Sequence, residues 1–137
     1  MDLPPQIRDA MVAHSRFCLP REACGLLALD GGGRLRMAYC LTNADRSERT
    51  FTVDPREHVK ALRHAERSGW RLGGVFHSHP GGPARPSPLD VARALEPDWL
   101  YAVVGAPDAE RPDVRGFWIR DGRVVEEPLV VTGERGR

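Results

Sequence analysis

The order in which apolar runs of strand length interleave with helix-forming segments constrains this chain most. CGLLALD (24–30), WRLGGVFHSH (70–79) and WLYAVVGA (99–106) read as strands, the last of them central. Pro4 and Pro5 open a helix that runs to Arg16 or Phe17, with Ile7, Met11 and Cys18 on one face, Ala10 and His14 beside it, and Pro20 as its stop. Asp54 is placed to cap a second helix, with Pro55 at its first position, Val59, Leu62 and Ala65 facing inward and Gly69 at its end. SPLDVARAL (87–95) reads as a short third helix.

Hairpins occur as well. GGG (31–33) turns the chain into RLRMAYCL (34–41), and Asp121-Gly122 joins VRGFWIR (114–120) to RVVEEPLVV (123–131). FTVD (51–54) reads as a short strand after the polar loop NADRSERT (43–50), and TGERGR (132–137) as a loose tail. Strands that alternate with helices and also pair in hairpins make a mixed sheet with helices packed on it, an α/β domain spanning 1–137. Gly31 to Gly33 have no helix after them, which excludes a phosphate-binding loop.

The formal net charge of +1 gives no electrostatic reason to invoke nucleic acid or a membrane surface. No apolar run approaches the roughly 20 residues of a membrane span, and MDLPPQIRDA lacks the basic-then-apolar order of a signal peptide, so a cytoplasmic protein is expected. Cys18, Cys24 and Cys40 form no C-x-x-C pair and read as reduced, partly buried thiols. Lys60 is the only lysine, Asn43 the only asparagine and Gln6 the only glutamine; thermostability and a GC-rich genome explain that bias equally well.

Chemistry concentrates in HSHPGGPARPSPLD (77–90). A strand alternates its side chains, so His77 and His79 point one way and Ser78 the other. Two same-face imidazoles can converge on one zinc ion at about 2.0–2.1 Å from each nitrogen, and a catalytic zinc takes about three protein ligands. Asp90 is the near candidate for the third, because the loop GGPARP turns the chain back and Ser87 and Pro88 begin a helix with Asp90 in its first turn. A second reading competes: Ser-x-x-Asp before an apolar helix is a capping-box pattern, which by itself explains Ser87 and Asp90 but not the histidine pair. The two readings are expected to exclude each other, an aspartate on zinc not being free to close the box.

H-x-H, seven residues, Ser, two residues, Asp resembles the signature of the JAMM (MPN+) metalloproteases. His77, His79, Ser87 and Asp90 match it at every spacing, and Pro80 follows the second histidine. A chance match on composition is on the order of one in two thousand, which favours the resemblance over coincidence. PREACGLLALD supplies, as Glu22, the upstream glutamate of that family, and the order of elements along nearly the whole chain looks like a minimal MPN domain, closest to small bacterial members that act on ubiquitin-like sulfur-carrier proteins.

The resemblance implies an MPN (cytidine-deaminase-like) fold with about three helices, and a zinc isopeptidase or peptidase holding one Zn2+ per chain. His77, His79 and Asp90 would bind the metal, Glu22 would be the general base, and Ser87 would help hold the water and the oxyanion. The implied partner is a ubiquitin-like or sulfur-carrier protein with a Gly-Gly tail, cut by a monomer or homodimer. Without the resemblance, Arg21 and Glu22 read as a solvated pair at the start of a strand, and spacing does not choose Glu22 over Glu48, Glu57 or Glu66. A non-catalytic MPN scaffold that binds partner proteins is the alternative; such domains usually lack the ligand set present here. A nucleoside deaminase would need a P-C-x-x-C ligand pair, which is absent. His14, His58 and His64 read as packing or surface histidines, Asn43 and Ser47 as part of a solvated loop or of the cleft wall, and Cys24 as a packed or a redox-sensitive thiol.

Overall fold

The computed structural model describes residues 1–133. Its elements are β1 (Asp2–Leu3), α1 (Pro5–Cys18), β2 (Cys24–Leu29), β3 (Leu35–Leu41), α2 (Pro55–Arg67), β4 (Arg71–His79), α3 (Pro88–Arg93), β5 (Leu100–Gly105), β6 (Asp113–Arg120), β7 (Arg123–Glu127) and β8 (Val130–Val131). Six strands form a mixed sheet in the order β3-β2-β4-β5-β6-β7, in which only the β4–β5 pair is parallel among the described residues. No helix among them is long and apolar enough to cross a membrane.

Each face of the sheet receives one long helix. Ile7, Met11 and Val12 of α1 bury against Leu27, Leu29, Phe76, Leu100, Ala102 and Val104. Ala61 and Ala65 of α2 bury against Leu26, Ala28, Leu72 and Val75 on the other side. Alternation along the strands sorts these residues, since neighbours in sequence serve opposite faces. Asp54 caps α2 as expected, accepting from the backbone N–H of Arg56 and Glu57 at 2.9 and 3.1 Å. Gly69 follows α2 with φ +78°, the left-handed conformation that a helix end of this kind requires. Asp121 and Gly122, both at positive φ, make the tight turn of the β6–β7 hairpin.

Four expectations need correction. Val59 and Leu62 do not face inward: they are 45% and 40% exposed, because α2 approaches the sheet through the small pair Ala61 and Ala65. FTVD is not a strand; it contributes one isolated bridge, Asn43 to Val53, because the Asn43 amide takes the nearby loop bonds. The segment 123–131 does not continue as one hairpin arm. It breaks after Glu127, where Pro128 has no N–H to donate, and β8 pairs instead with β1 in parallel. Thr132, at the start of the expected loose tail, donates to the Leu3 carbonyl at 3.1 Å, while residues 134–137 lie outside the described part.

Candidate metal centre and active site

Strand register places the site. In the β2–β4 pair Cys24 faces His77, Gly25 faces Phe76 and Leu26 faces Val75. Continued by two residues, that register sets Glu22 opposite His79, and the Ser78 N–H donates to the Ala23 carbonyl at 3.1 Å to extend the ladder. Glu22, Cys24 and Leu26 therefore share a face with His79, His77 and Val75, the face that α2 covers further along. The site lies at the carboxyl end of β4, beside its parallel neighbour β5. There the crossover through α3 opens a crevice of the kind in which ligands of α/β sheets bind.

The loop after β4 is held by a close approach. A Cβ on Gly105 would meet the Ala84 backbone nitrogen at 2.5 Å, so glycine there lets the returning loop lie against β5. The chain then reaches Ser87, and α3 presents Asp90 to the histidines. His77 Nε2 stands 3.1 Å from His79 Nε2 and 3.0 Å from Asp90 Oδ2, and His79 Nε2 is 3.1 Å from the same oxygen. His77, His79 and Asp90 are a group of three side chains able to converge on one ion.

The capping box is present, and it uses the same Asp90 oxygen that faces the two imidazoles. The Ser87 N–H donates to Asp90 Oδ2 at 2.8 Å and the Asp90 N–H donates to Ser87 Oγ at 3.1 Å, a complete capping box. The same Asp90 oxygen faces both imidazoles, and a carboxylate oxygen has lone pairs for both directions. The box thus orients the Asp90 carboxylate, as hydrogen-bonded partners do for carboxylates that ligate metals. His79 is oriented likewise: its Nδ1 stands 3.0 Å from the Pro83 carbonyl, which can only accept, so the neutral ring carries its proton there and turns the Nε2 lone pair toward the cluster. Phe51 stacks on His77 at 4.6 Å between ring centroids and 19° between planes.

The donor set fits a tetrahedral cation. Donors at about 2.0–2.1 Å around such an ion stand about 3.3 Å apart, close to the 3.0–3.1 Å separations found. The protonation states of His77 and Asp90 fit too, while that of His79 is pulled the other way in the metal-free site. Burial pushes the His77 ring below its ordinary value despite the adjoining Asp90, favouring the neutral form that ligates. Against the effect of burial, hydrogen bonds from His77, His79 and the Ser87 N–H hold the Asp90 carboxyl well below the usual carboxylate range. His79 is also desolvated, but its bonds to Asp90 and Pro83 and the Asp90 and Glu22 charges outweigh that and raise it.

Glu22 is 4% exposed, and its Oε1 is the one buried side-chain oxygen or nitrogen without a hydrogen-bond partner among the described residues. Buried acceptors are normally satisfied, so an orphan beside a ligand cluster marks a place where a further group belongs. Burial pushes the Glu22 carboxyl up to about 7; Asp90 and Asp45 add to the shift, while His79 and Arg93 oppose it.

Two concavities flank the centre. An apolar groove of about 680 Å³ is lined by Phe51, Val53, His77, Leu89, Asp90 and Trp99. A polar cleft of about 1280 Å³ has Glu22 in its wall, with Asn43, Ser47 and Arg49.

One positioning residue, Ser78, escaped the sequence reading, and the positioning role of a second, Asn43, went beyond the loop or cleft-wall reading. Ser78 accepts from the Ala23 N–H at 2.8 Å and so locks the residue after Glu22 to β4. Asn43 is buried rather than part of a solvated loop. Its amide donates to the carbonyls of Glu22 and Thr50 and its oxygen accepts from the N–H of Asp45 and Thr52. Its being the only asparagine in the chain was the one available signal. Cys24 is fully buried and its thiol is pushed up to about 12, chiefly by burial, which makes it a packed thiol. His14 lies 2.9 Å from the Leu41 carbonyl and His64 2.6 Å from the Tyr39 hydroxyl, away from the cluster.

The profile of prokaryotic homologs of the JAB domain matches residues 4–120. The chain belongs to this family. Among similar proteins, the CysO-cysteine peptidase of Mycobacterium tuberculosis is 40% identical over 124 residues, covering 90% of this chain and 85% of that protein. A probable TtuB-protein conjugate cleaving protease of Thermus thermophilus is 33% identical over 126 residues, covering 90% and 78%. The solution structure of protein DSY2949 from Desulfitobacterium hafniense superposes on this JAB domain with a TM-score of 0.85 at 38% identity, covering 95% of this chain and 91% of that one. The mixed sheet with its three helices is thus the fold of the family, as the sequence resemblance implied.

Proposed function

We propose that this protein is a zinc-dependent peptidase or isopeptidase that hydrolyses the bond after the C-terminal Gly-Gly of a ubiquitin-like or sulfur-carrier protein. The observation that carries the reading is the convergence of His77, His79 and Asp90 within 3.1 Å of one another on the strand face that also bears the unpartnered Glu22. The two named relatives, one a peptidase of CysO-cysteine and one a protease of TtuB-protein conjugates, support this substrate class. The free thiols Cys18, Cys24 and Cys40 suit a reducing cytoplasm.

His77, His79 and Asp90 would hold one zinc ion, which supplies polarisation of the scissile carbonyl and acidification of a water molecule. Glu22, with a carboxyl poised near neutral pH, takes a proton from the attacking water and returns it to the departing amine. Ser87 accepts from the Asp90 N–H, which leaves its own hydroxyl proton to donate to the developing oxyanion. Phe51, Val53 and Trp99 line an apolar groove along one side of the centre that can receive the extended C-terminal tail of the carrier.

The test is incubation of zinc-loaded protein with a carrier protein joined through its Gly-Gly terminus to cysteine or to a lysine side chain, with products weighed by mass spectrometry. Cleavage after the second glycine is expected. Equal turnover by Glu22→Ala would remove the assigned mechanism, and stoichiometric zinc without cleavage of any such conjugate would favour a partner-binding scaffold.

A further inference from the structure

We infer that Arg93 is the residue that reads the α-carboxylate of the leaving group, so that the enzyme prefers a free amino acid such as cysteine as the amine to be released. This deepens the proposed peptidase function and rests on it. Arg93 closes α3, three residues after Asp90, and positions three apart lie on one helix face. It shares the lining of the apolar groove with His77 and Asp90.

Its present partners are loose. The Arg93 guanidinium is 3.9 Å from Asp45 and 3.4 Å from the Phe51 carbonyl, and its side chain is 53% exposed. Charge-assisted bonds of arginine to carboxylate ordinarily close to about 2.7–2.9 Å. An exposed pair at 3.9 Å holds the guanidinium by little, leaving it ready to exchange Asp45 for a ligand.

The chemistry of the two leaving groups then decides what that ligand is. In an amide of cysteine the carboxylate is one carbon removed from the scissile nitrogen, so it must sit within a few bonds of the centre. There Glu22 and Asp45 disfavour it, while Asp90 would be offset by the metal it holds. Glu22 feels the charges of His79, Asp90, Arg93 and Asp45, and Arg93 is the permanent cation of that set. A planar guanidinium can take a carboxylate through two parallel bonds. A lysine side chain in an isopeptide brings only methylenes to the same place and gains nothing from Arg93.

The experiment compares two conjugates of one carrier protein, Gly-Gly-cysteine and Gly-Gly-cysteinamide, with zinc-loaded wild-type, Arg93→Gln and Arg93→Lys proteins. Wild type is expected to favour the free acid in kcat/KM by roughly 10- to 100-fold, the range of one charged hydrogen-bonded contact. Arg93→Gln is expected to bring the ratio near one, and Arg93→Lys to retain part of it. A purely structural role, in which Arg93 only ties α3 to Phe51, would lower both substrates together and keep the ratio; that result overturns the inference. So does equal cleavage of both conjugates by wild type. If neither conjugate is cleaved, the proposed function itself fails and the inference falls with it.

Discussion

Replacing Glu22 by glutamine should stabilise the metal-free protein while abolishing its activity, and the stabilisation should depend on pH. Burial raises the folded-state carboxyl from an ordinary 4.5 to about 7. Below 4.5 the group is protonated in both folded and unfolded chains and costs nothing. As pH rises toward 7 the unfolded chain ionises first, and above 7 the folded protein must hold a buried carboxylate. The stability present at acid pH is thus lost as pH rises through the folded value. The full difference between about 7 and 4.5 corresponds to about 3 kcal/mol. Relaxation of the metal-free site around the buried charge reduces this to about 1–2 kcal/mol. Glutamine keeps the shape and removes the charge. At pH 8.5 the zinc-free variant should melt roughly 3–10 °C above wild type, and near pH 4.5 the two should coincide. Thermal unfolding followed by circular dichroism across that range, with chelator present, measures it. A stability difference that stays constant between pH 4.5 and 8.5, or a destabilised variant at pH 8.5, would refute the reasoning.

Further outcomes follow from the same geometry. Ser87→Ala should lower kcat about 10²–10³-fold through the lost oxyanion donor and destabilise by about 1 kcal/mol through the lost cap, read by steady-state kinetics and denaturant titration. Asn43→Ala should cost about 1–3 kcal/mol, because the buried Glu22 carbonyl loses its amide donor, and kcat should fall although Asn43 touches none of His77, His79 or Asp90. Cys24 should resist alkylation at pH 8 in the folded protein and react on unfolding, as peptide mapping would record.

Much of the fold was legible because local rules and tertiary demands agree. Asp54 before Pro55, Gly69 after Arg67 and Asp121-Gly122 each sit where capping and turn chemistry require, and the structure uses them so. The metal-ligand candidates were legible for a similar reason: His77 and His79 share a strand face, and the loop that carries the chain to Asp90 is short. Glu22 was not legible from its own surroundings. Its place opposite His79 is a consequence of how β2 registers with β4, which no local pattern encodes. Ser78, and the hold of Asn43 on Glu22, were not legible for the same reason, since they act on the Glu22 segment from 55 and 21 residues away. Val59 and Leu62 misled because hydrophobicity outweighed size in the reading of α2. Close approach of a helix to a sheet is governed by the small residues, here Ala61 and Ala65. At Asp90 the capping box was legible locally, while the approach of the same oxygen to both imidazoles depends on how the loop brings α3 back to β4.

The most direct test titrates zinc into metal-free protein while cleavage of a carrier-Gly-Gly-cysteine conjugate is followed by mass spectrometry. Turnover should rise linearly to a plateau at one zinc per chain, and an Asp90→Ala variant should show neither tight uptake nor the plateau. Cleavage that proceeds unchanged without zinc, or a fully loaded wild-type protein that leaves the conjugate intact, would contradict the account.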